Sequence, residues 1–261
     1  MNLGRVNVTI RQRTVLECVD LALPFSFRLA RRAYRALALR WLLPAFFACA
    51  LARYLLAWHW VWVWLLALSL AMILQGPFTL AAGRAMFDES VDAAAVSRQF
   101  RRRLIPYSFT LLLTRSAIAL GSLSIVLLPM LWVRLAHVHE VLLLEGASMK
   151  NAWSRSAGIV RFHGGSAAQM LLCILSMQFA AILVAELLGL GIFGYLLQLG
   201  SPFGILFEDG GSPYALLGLF LSVPLTSTAR FLTYIDGRTR RDAWDVQVRF
   251  QGIRADAGAT V

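Results

Sequence analysis

Six apolar stretches, each close to 20 residues long, constrain what this chain can fold into. A helix needs roughly 20 apolar residues to cross the hydrocarbon core of a bilayer, which is about 30 Å thick. Since 59% of the 261 residues are hydrophobic and only 15% are charged, too few polar side chains remain to cover a water-soluble globule of this size. The sequence therefore predicts an all-α, polytopic integral membrane bundle that forms a single membrane domain. The predicted spans lie at about 41–57, 63–83, 104–123, 127–144, 166–191 and 213–230.

The third and fourth spans form the pair whose structure is least determined by the sequence. Residues 104–145 can make two full spans, or one long helix followed by a partly inserted segment. Ser122, Ser124 and Pro129 favour a tight break between two helices.

The basic residues predict the orientation, because Lys and Arg concentrate in short loops on the cytoplasmic side. Eight precede the first span, five lie at 84–103, three at 146–165 and six from Arg230 onwards, which makes 22 of the 25 basic residues. The opposite loops contain none. Six spans with both termini in the cytoplasm agree with this distribution. The net charge of +11 is then a band along the inner membrane surface, which favours anionic lipid over nucleic acid as its partner.

An amphipathic helix is predicted at residues 14–38, before the first span. The spacing of three and four between Arg28, Arg31, Arg32 and Arg35 places these four side chains on one helical face. Apolar residues lie on the other face. The pattern is typical of a helix that lies in the membrane interface.

Ionisable residues inside predicted spans are costly to bury in lipid and often functional. Arg134, His137 and Glu140 lie three residues apart and would share one stripe facing the bundle interior. Glu186 has no basic neighbour in its own helix, so we expect it to be neutral, near an aqueous cavity, or paired with Arg115 or Arg134. These five residues are the candidate intramembrane polar site, with structural charge pairing as the alternative.

His137, His139 and Glu140 also have metal-binding or acid–base potential. However, the two histidines are two positions apart, and side chains at that spacing point in different directions on a helix. No further ligand group is visible in the sequence. We therefore predict no metal, no cofactor and no catalytic residues.

The segment after the last span is densely charged and is predicted to be a cytoplasmic tail at 231–261. Pairs of opposite charge four residues apart occur at Asp236 and Arg240, at Arg238 and Asp242, and at Arg241 and Asp245. Such pairs stabilise a helix by a few tenths of a kcal/mol each. A helix continuing into the cytoplasm explains these charges, and a surface for partners would have the same composition.

Four segments of the sequence resemble one family. Residues 234–247 read YIDGRTRRDAWDVQ; residues 132–136 read WVRLA and are followed by VLLLEG at 141–146 and AWSRS at 152–156. They are similar to the tail and the central stretch of uncharacterised bacterial multi-pass proteins that resemble the membrane domain of glycerophosphoryl diester phosphodiesterases. Asp242, Ala243 and Gln247 depart from the usual Glu, Gly and Glu of that tail. The resemblance implies an inner-membrane accessory protein, with phosphodiesterase activity belonging to a separate soluble barrel domain.

Three functions remain open at this point. The leading hypothesis is a non-enzymatic scaffold or assembly subunit that binds anionic lipid headgroups and partner proteins at the cytoplasmic face. The alternative is a small transporter or lipid-handling protein for an anionic solute or headgroup, and the third is an intramembrane enzyme. The candidate surface for headgroups or partners consists of Arg28, Arg31, Arg32, Arg35, Glu145, Arg155, Asp236, Arg238, Arg240 and Arg241.

Overall fold

The computed structural model describes residues 11–88, 90–161 and 164–242, and these residues form an all-α bundle, which confirms the predicted fold class. Within them, six helical segments are long and apolar enough to cross a membrane. The described helices are α1 (Val15–Pro24), α2 (Arg31–Leu37), α3 (Leu43–Tyr54), α4 (Trp60–Ala85), α5 (Ala93–Gly121), α6 (Leu127–Arg134), α7 (Val138–Glu140), α8 (Met149–Val160), α9 (Gly164–Leu190), α10 (Leu206–Asp209) and α11 (Pro213–Asp242). Short π-helical turns at Phe25–Leu29, Ala38–Leu42, Val141–Glu145 and Gly191–Leu196 continue some of these helices.

The centre of the bundle consists of α4 and α11. Of the most apolar 18-residue stretch in each helix, 78% is buried in α11 and 61% is buried in α4. In the segment that contains α9, only 17% of this stretch is buried. The outward sides of α3, α4, α9 and α11 carry large exposed apolar residues, among them Phe47, Trp62, Phe179 and Leu221. An apolar surface of this extent is suited to lipid rather than to water. This is therefore a membrane protein.

Helices α9 and α11 pack closely in an antiparallel pair. A Cβ atom at Gly218 would overlap the carbonyl oxygen of Ala181, so glycine is what allows the two backbones to approach. A side chain at Gly189 would likewise overlap the ring of Tyr214. The first glycine of the GLG sequence at 189–191 therefore serves helix packing.

The segment that the sequence predicts as an interfacial helix is helical, and it consists of α1, a π-helical turn and α2. It begins with a capping box, in which Thr14 and Glu17 each bond the other's backbone N–H. Buried side chains then hold it to the bundle: the Tyr34 hydroxyl lies 2.7 Å from the Thr228 hydroxyl of α11, and Ser26 donates to the same Thr228. The segment thus lies against α11 before it leads into α3.

Helices α5 and α6 form a hairpin beside one half of the bundle. Phe100 packs where α4 has Gly76, the Tyr107 hydroxyl donates to the Met72 carbonyl, and Val133 of α6 lies near Gly164, where α9 begins. These contacts lie on the part of α4 from Met72 towards Ala85 and on the Gly164 end of α9. The turn between the two helices follows Gly121, as the serines and Pro129 predict.

The second arm of this hairpin is interrupted at residues 135–137. The backbone leaves helical geometry there, with φ and ψ of −97° and 8° at Leu135, which frees backbone groups that a helix would pair. Ser156 of α8 satisfies two of them, because its hydroxyl accepts from the His137 N–H at 3.1 Å and donates to the Arg134 carbonyl at 2.8 Å. Helix α8 therefore stabilises the break.

Candidate functional site

A buried ion pair between Arg230 of α11 and Glu140 of α7 lies at the junction of the hairpin and the central helices. The Arg230 Nε donates to Glu140 Oε1 at 2.8 Å, and Nη2 donates to Oε2 at 3.4 Å. Nη2 also donates to the carbonyl of Ala136, a residue of the break. Both side chains are almost fully buried. A charge pair in such a place must be well hydrogen-bonded to be tolerated, and this one is.

Two histidines and a tyrosine extend the cluster. The Tyr107 hydroxyl lies 3.1 Å from His139 Nδ1, while His137 Nδ1 lies 4.0 Å from Glu140 Oε2. All three rings are buried among other side chains. Among the described residues, no group of three or more His, Cys, Asp or Glu side chains is placed to hold a metal ion.

Arg115 of α5 is the second guanidinium near Arg230. It lines a small cavity together with Arg230 and His139, and its Nε has no hydrogen-bond partner. The cluster thus contains two arginines against the single carboxylate of Glu140. We name these six residues, Tyr107, Arg115, His137, His139, Glu140 and Arg230, the buried cluster.

Arg134 and Glu186 do not join the buried cluster, contrary to what the sequence predicts. The stripe of Arg134, His137 and Glu140 requires a continuous helix, and the break at residues 135–137 turns Arg134 outward to an exposed position. Glu186 lies near the opposite end of α9, where its carboxylate accepts from the Leu206 N–H at 2.8 Å and from the Ser212 hydroxyl. It pairs with neither Arg115 nor Arg134 and instead fixes the loop before α11.

A network of ion pairs joins α8, the end of α11 and the π-helical turn at Val141–Glu145. Arg155 pairs with Glu145 and, at 3.1 Å, with Asp242. Arg238 lies 3.5 Å from Asp242, and the Tyr234 hydroxyl donates to Glu145. The Glu145 carboxylate raises the pKa of Arg155 above its usual value. Three of the residues expected to face partners, Glu145, Arg155 and Arg238, are therefore engaged within the protein.

Asp236 and Arg240 are engaged in the same way. Asp236 accepts from the Arg13 N–H at 2.6 Å and from Arg240 at 2.7 Å, and Arg240 donates to the Arg13 carbonyl. These bonds tie the start of α1 to the end of α11. The i, i+4 pairs at Asp236 and Arg238 are formed as predicted. Asp245 lies outside the described residues.

Arg241 contacts the Arg155 carbonyl at 3.4 Å, and the other remaining members of the candidate surface form an exposed patch on the segment before α3. Arg28, Arg31, Arg32 and Arg35 are all exposed, and no carboxylate in the described part of the chain pairs with any of them. Phe27 and Leu39 are exposed beside them. We call these four arginines the arginine band. Their backbone is held by the bonds of Ser26 and Tyr34 to Thr228, so the band is presented on a fixed support.

Sequence reasoning missed Arg230, the partner of Glu140, because it was counted with the cytoplasmic basic residues. The available signal was its position within α11, 17 residues after Pro213, where the chain is still packed on all sides. Ser156 and Tyr107 were missed for another reason. Their roles depend on contacts between separate helices, and nothing in the local sequence marks them.

The described residues contain two contrasting kinds of polar site, one buried and one exposed. The buried cluster satisfies Glu140 and Arg230 internally, whereas the arginine band is open and unpaired within the described chain. Comparison with protein-family models finds no match for this chain, and comparisons with curated proteins and with solved structures find none either. The chemistry of these sites is therefore the basis for any assignment.

Proposed function

We propose that this protein is a non-enzymatic scaffold or accessory subunit of the bacterial inner membrane, with both termini in the cytoplasm. The observation that supports this most strongly is the arginine band. Four exposed guanidiniums on a supported interfacial helix form a surface that attracts acidic groups. The partner proposed is an acidic segment of another protein at the same membrane surface.

Because the charged tail is bonded within the protein, we place the proposed partner surface at the arginine band. Asp236, Arg240 and Arg155 already make bonds within the protein, so a partner would have to displace them. The band requires no such displacement. Surface charges that are free of internal partners are the ones available for steering and docking an acidic chain.

The structural role of the buried cluster also supports a scaffold over the alternatives. A transport pathway for an anion would need the predicted polar residues to face one cavity, and Arg134 and Glu186 lie apart from Glu140. An acid–base role for Glu140 would need a carboxylate free to exchange a proton, and this one holds Arg230. Glu140 and Arg230 instead join the hairpin to the central helices.

The proposal is tested by gentle detergent extraction of the tagged protein from its native membrane and quantitative mass spectrometry of what co-purifies. The test variant combines Arg31→Gln and Arg32→Gln. The matched control combines Arg101→Gln and Arg102→Gln, which are also adjacent, exposed and without a described ion pair. Exposed charge pairs are each worth up to about 1 kcal/mol, so recovery of a specific partner is expected to fall by about fivefold or more in the test variant only.

Two results would count against the scaffold. One is an unchanged set of partners when the test variant is inserted at normal levels. The other is an equal loss in both variants, because that outcome would report total surface charge and not the arginine band.

A further inference from the structure

An open groove lies between α6, α8, the start of α9 and the end of α11. It encloses about 950 Å³, a size typical of sites for small molecules. Its walls include Met130, Val133, Arg134, Gly158, Gly165 and Arg241. Small residues form much of its floor, which leaves the space between the helices unfilled.

The groove carries positive charge, because Arg134, Arg161 and Arg241 line it. Arg134 is exposed there and has no ion pair in the described part of the chain. Arg241 of α11 lines it as well, with one contact of 3.4 Å to the Arg155 carbonyl and one of 3.6 Å to Asp242. None of the lining residues that the structure describes is acidic. An anionic group is therefore the complementary ligand for these arginines.

The groove also has an apolar side. Pro129, Met130 and Val133 of α6 form its wall, and Met130 is exposed at the surface. This wall continues into the apolar outer side of the hairpin, where Leu123 and Ile125 are exposed. A ligand that fills the groove must thus combine an anionic head with an apolar body.

We propose that this groove binds an anionic phospholipid, with the phosphate at Arg134 and Arg241 and an acyl chain along α6. The depth of the groove agrees with this ligand. It lies where α9 begins and α11 ends, the level at which the predicted orientation places the cytoplasmic headgroups. Planar guanidiniums are well suited to bidentate recognition of phosphate oxygens. Free phosphate would leave the apolar wall of α6 uncovered, and an acidic peptide would not need that wall.

Arg134 and Gly165 give two independent ways to remove the site. Arg134→Gln removes the charge from an exposed side chain that no described ion pair needs. Gly165→Leu fills the floor, because a Cβ atom there would meet nothing within 4 Å. Leucine is also a much better helix former than glycine, so the variant should fold. Gly191→Leu is the matched control, since Gly191 has the same open surroundings at the far end of α9.

Native mass spectrometry with added phosphatidylglycerol or phosphatidylcholine tests the proposal. The unmodified protein is expected to retain phosphatidylglycerol preferentially. Arg134→Gln should raise the Kd of the tightest phosphatidylglycerol by about fivefold, the factor expected for one basic residue beside anionic lipid. Gly165→Leu should also raise this Kd, because its side chain obstructs the groove. Gly191→Leu should leave this Kd unchanged. The proposal is overturned by equal Kd values for the two lipids, by no change in either groove variant, or by an equal change in the control.

Discussion

Removing the charge of Glu140 should destabilise the protein strongly. Arg230 donates to this carboxylate with two nitrogens, at 2.8 and 3.4 Å, and the two side chains are 6% and 1% exposed. Glu140→Gln keeps the shape of the side chain but leaves the charges of Arg230 and Arg115 buried without a carboxylate. Breaking a buried pair by removing one partner costs about 3–5 kcal/mol, which corresponds to a fall in Tm of roughly 6–20 °C for a chain of this size.

The assay is thermal unfolding of the purified protein in mild detergent, measured as the loss of the peak of monodisperse protein. Glu208→Gln is the matched control, because Glu208 is exposed in the short helix α10. A double variant, Glu140→Leu with Arg230→Met, removes both charges and should recover most of the loss. Equal Tm values for Glu140→Gln and Glu208→Gln would refute the reasoning, as would a double variant less stable than the single one.

Three further predictions concern helix packing and helix capping. Ser156→Ala should cost about 1–3 kcal/mol of unfolding free energy, because it leaves the backbone groups at the break unpaired, whereas Ser69→Ala, at an exposed position, should be near neutral in the same melt. Gly218→Val should separate α9 from α11 and lower Tm, while Gly191→Ala should not. The bond from the Thr14 N–H lowers the pKa of Glu17 below 4.5, so the capping box should stabilise α1 above that pH and lose this as pH falls through the folded-state pKa. The hydrogen-exchange protection of α1, relative to the intrinsic exchange rate at each pH, should show this dependence in the native chain and not in Glu17→Gln.

Each of these has an outcome that would contradict it. A Ser156→Ala melt that matches Ser69→Ala would mean that α8 does not stabilise the break. A Gly218→Val protein with an unchanged Tm would show that the two helices are not in close contact. A protection of α1 from exchange that is independent of pH in the native chain would exclude the capping role of Glu17.

The fold class followed from the sequence because it depends on local properties. A run of apolar residues near 20 in length has few ways to satisfy its backbone in lipid, and this is true whatever the run packs against. The helical structure of the segment before α3 was predictable for the same reason, since the spacing of Arg28, Arg31, Arg32 and Arg35 defines a helical face without reference to other helices.

The candidate site was predictable only in part, because pairing between helices depends on depth and rotation. Glu140 and His137 were identified as buried ionisable residues, yet the partner of Glu140 is Arg230, 90 positions away. The break at residues 135–137 turned Arg134 outward, and no local breaker residue lies within it. The hydrogen bonds of Ser156 explain how the break is tolerated, and they come from another helix.

The charged tail shows a similar division. The spacing of Asp236 and Arg240 predicted their pair correctly, since i, i+4 contacts are local. The additional bonds to Arg13 could not be predicted, because they join opposite ends of the described chain. These long-range bonds are what moved the proposed partner surface from the tail to the arginine band.

The most direct test of the scaffold is the accessibility of the arginine band to a membrane-impermeant maleimide. The reporter is Ala36→Cys, an exposed position beside Arg35, in a chain whose three native cysteines are replaced. The account predicts no labelling in intact cells, labelling in inverted native vesicles, and faster labelling after the purified protein is reconstituted into the same lipids without its partner. Labelling from outside intact cells, or equal rates in native and reconstituted membranes, would contradict it.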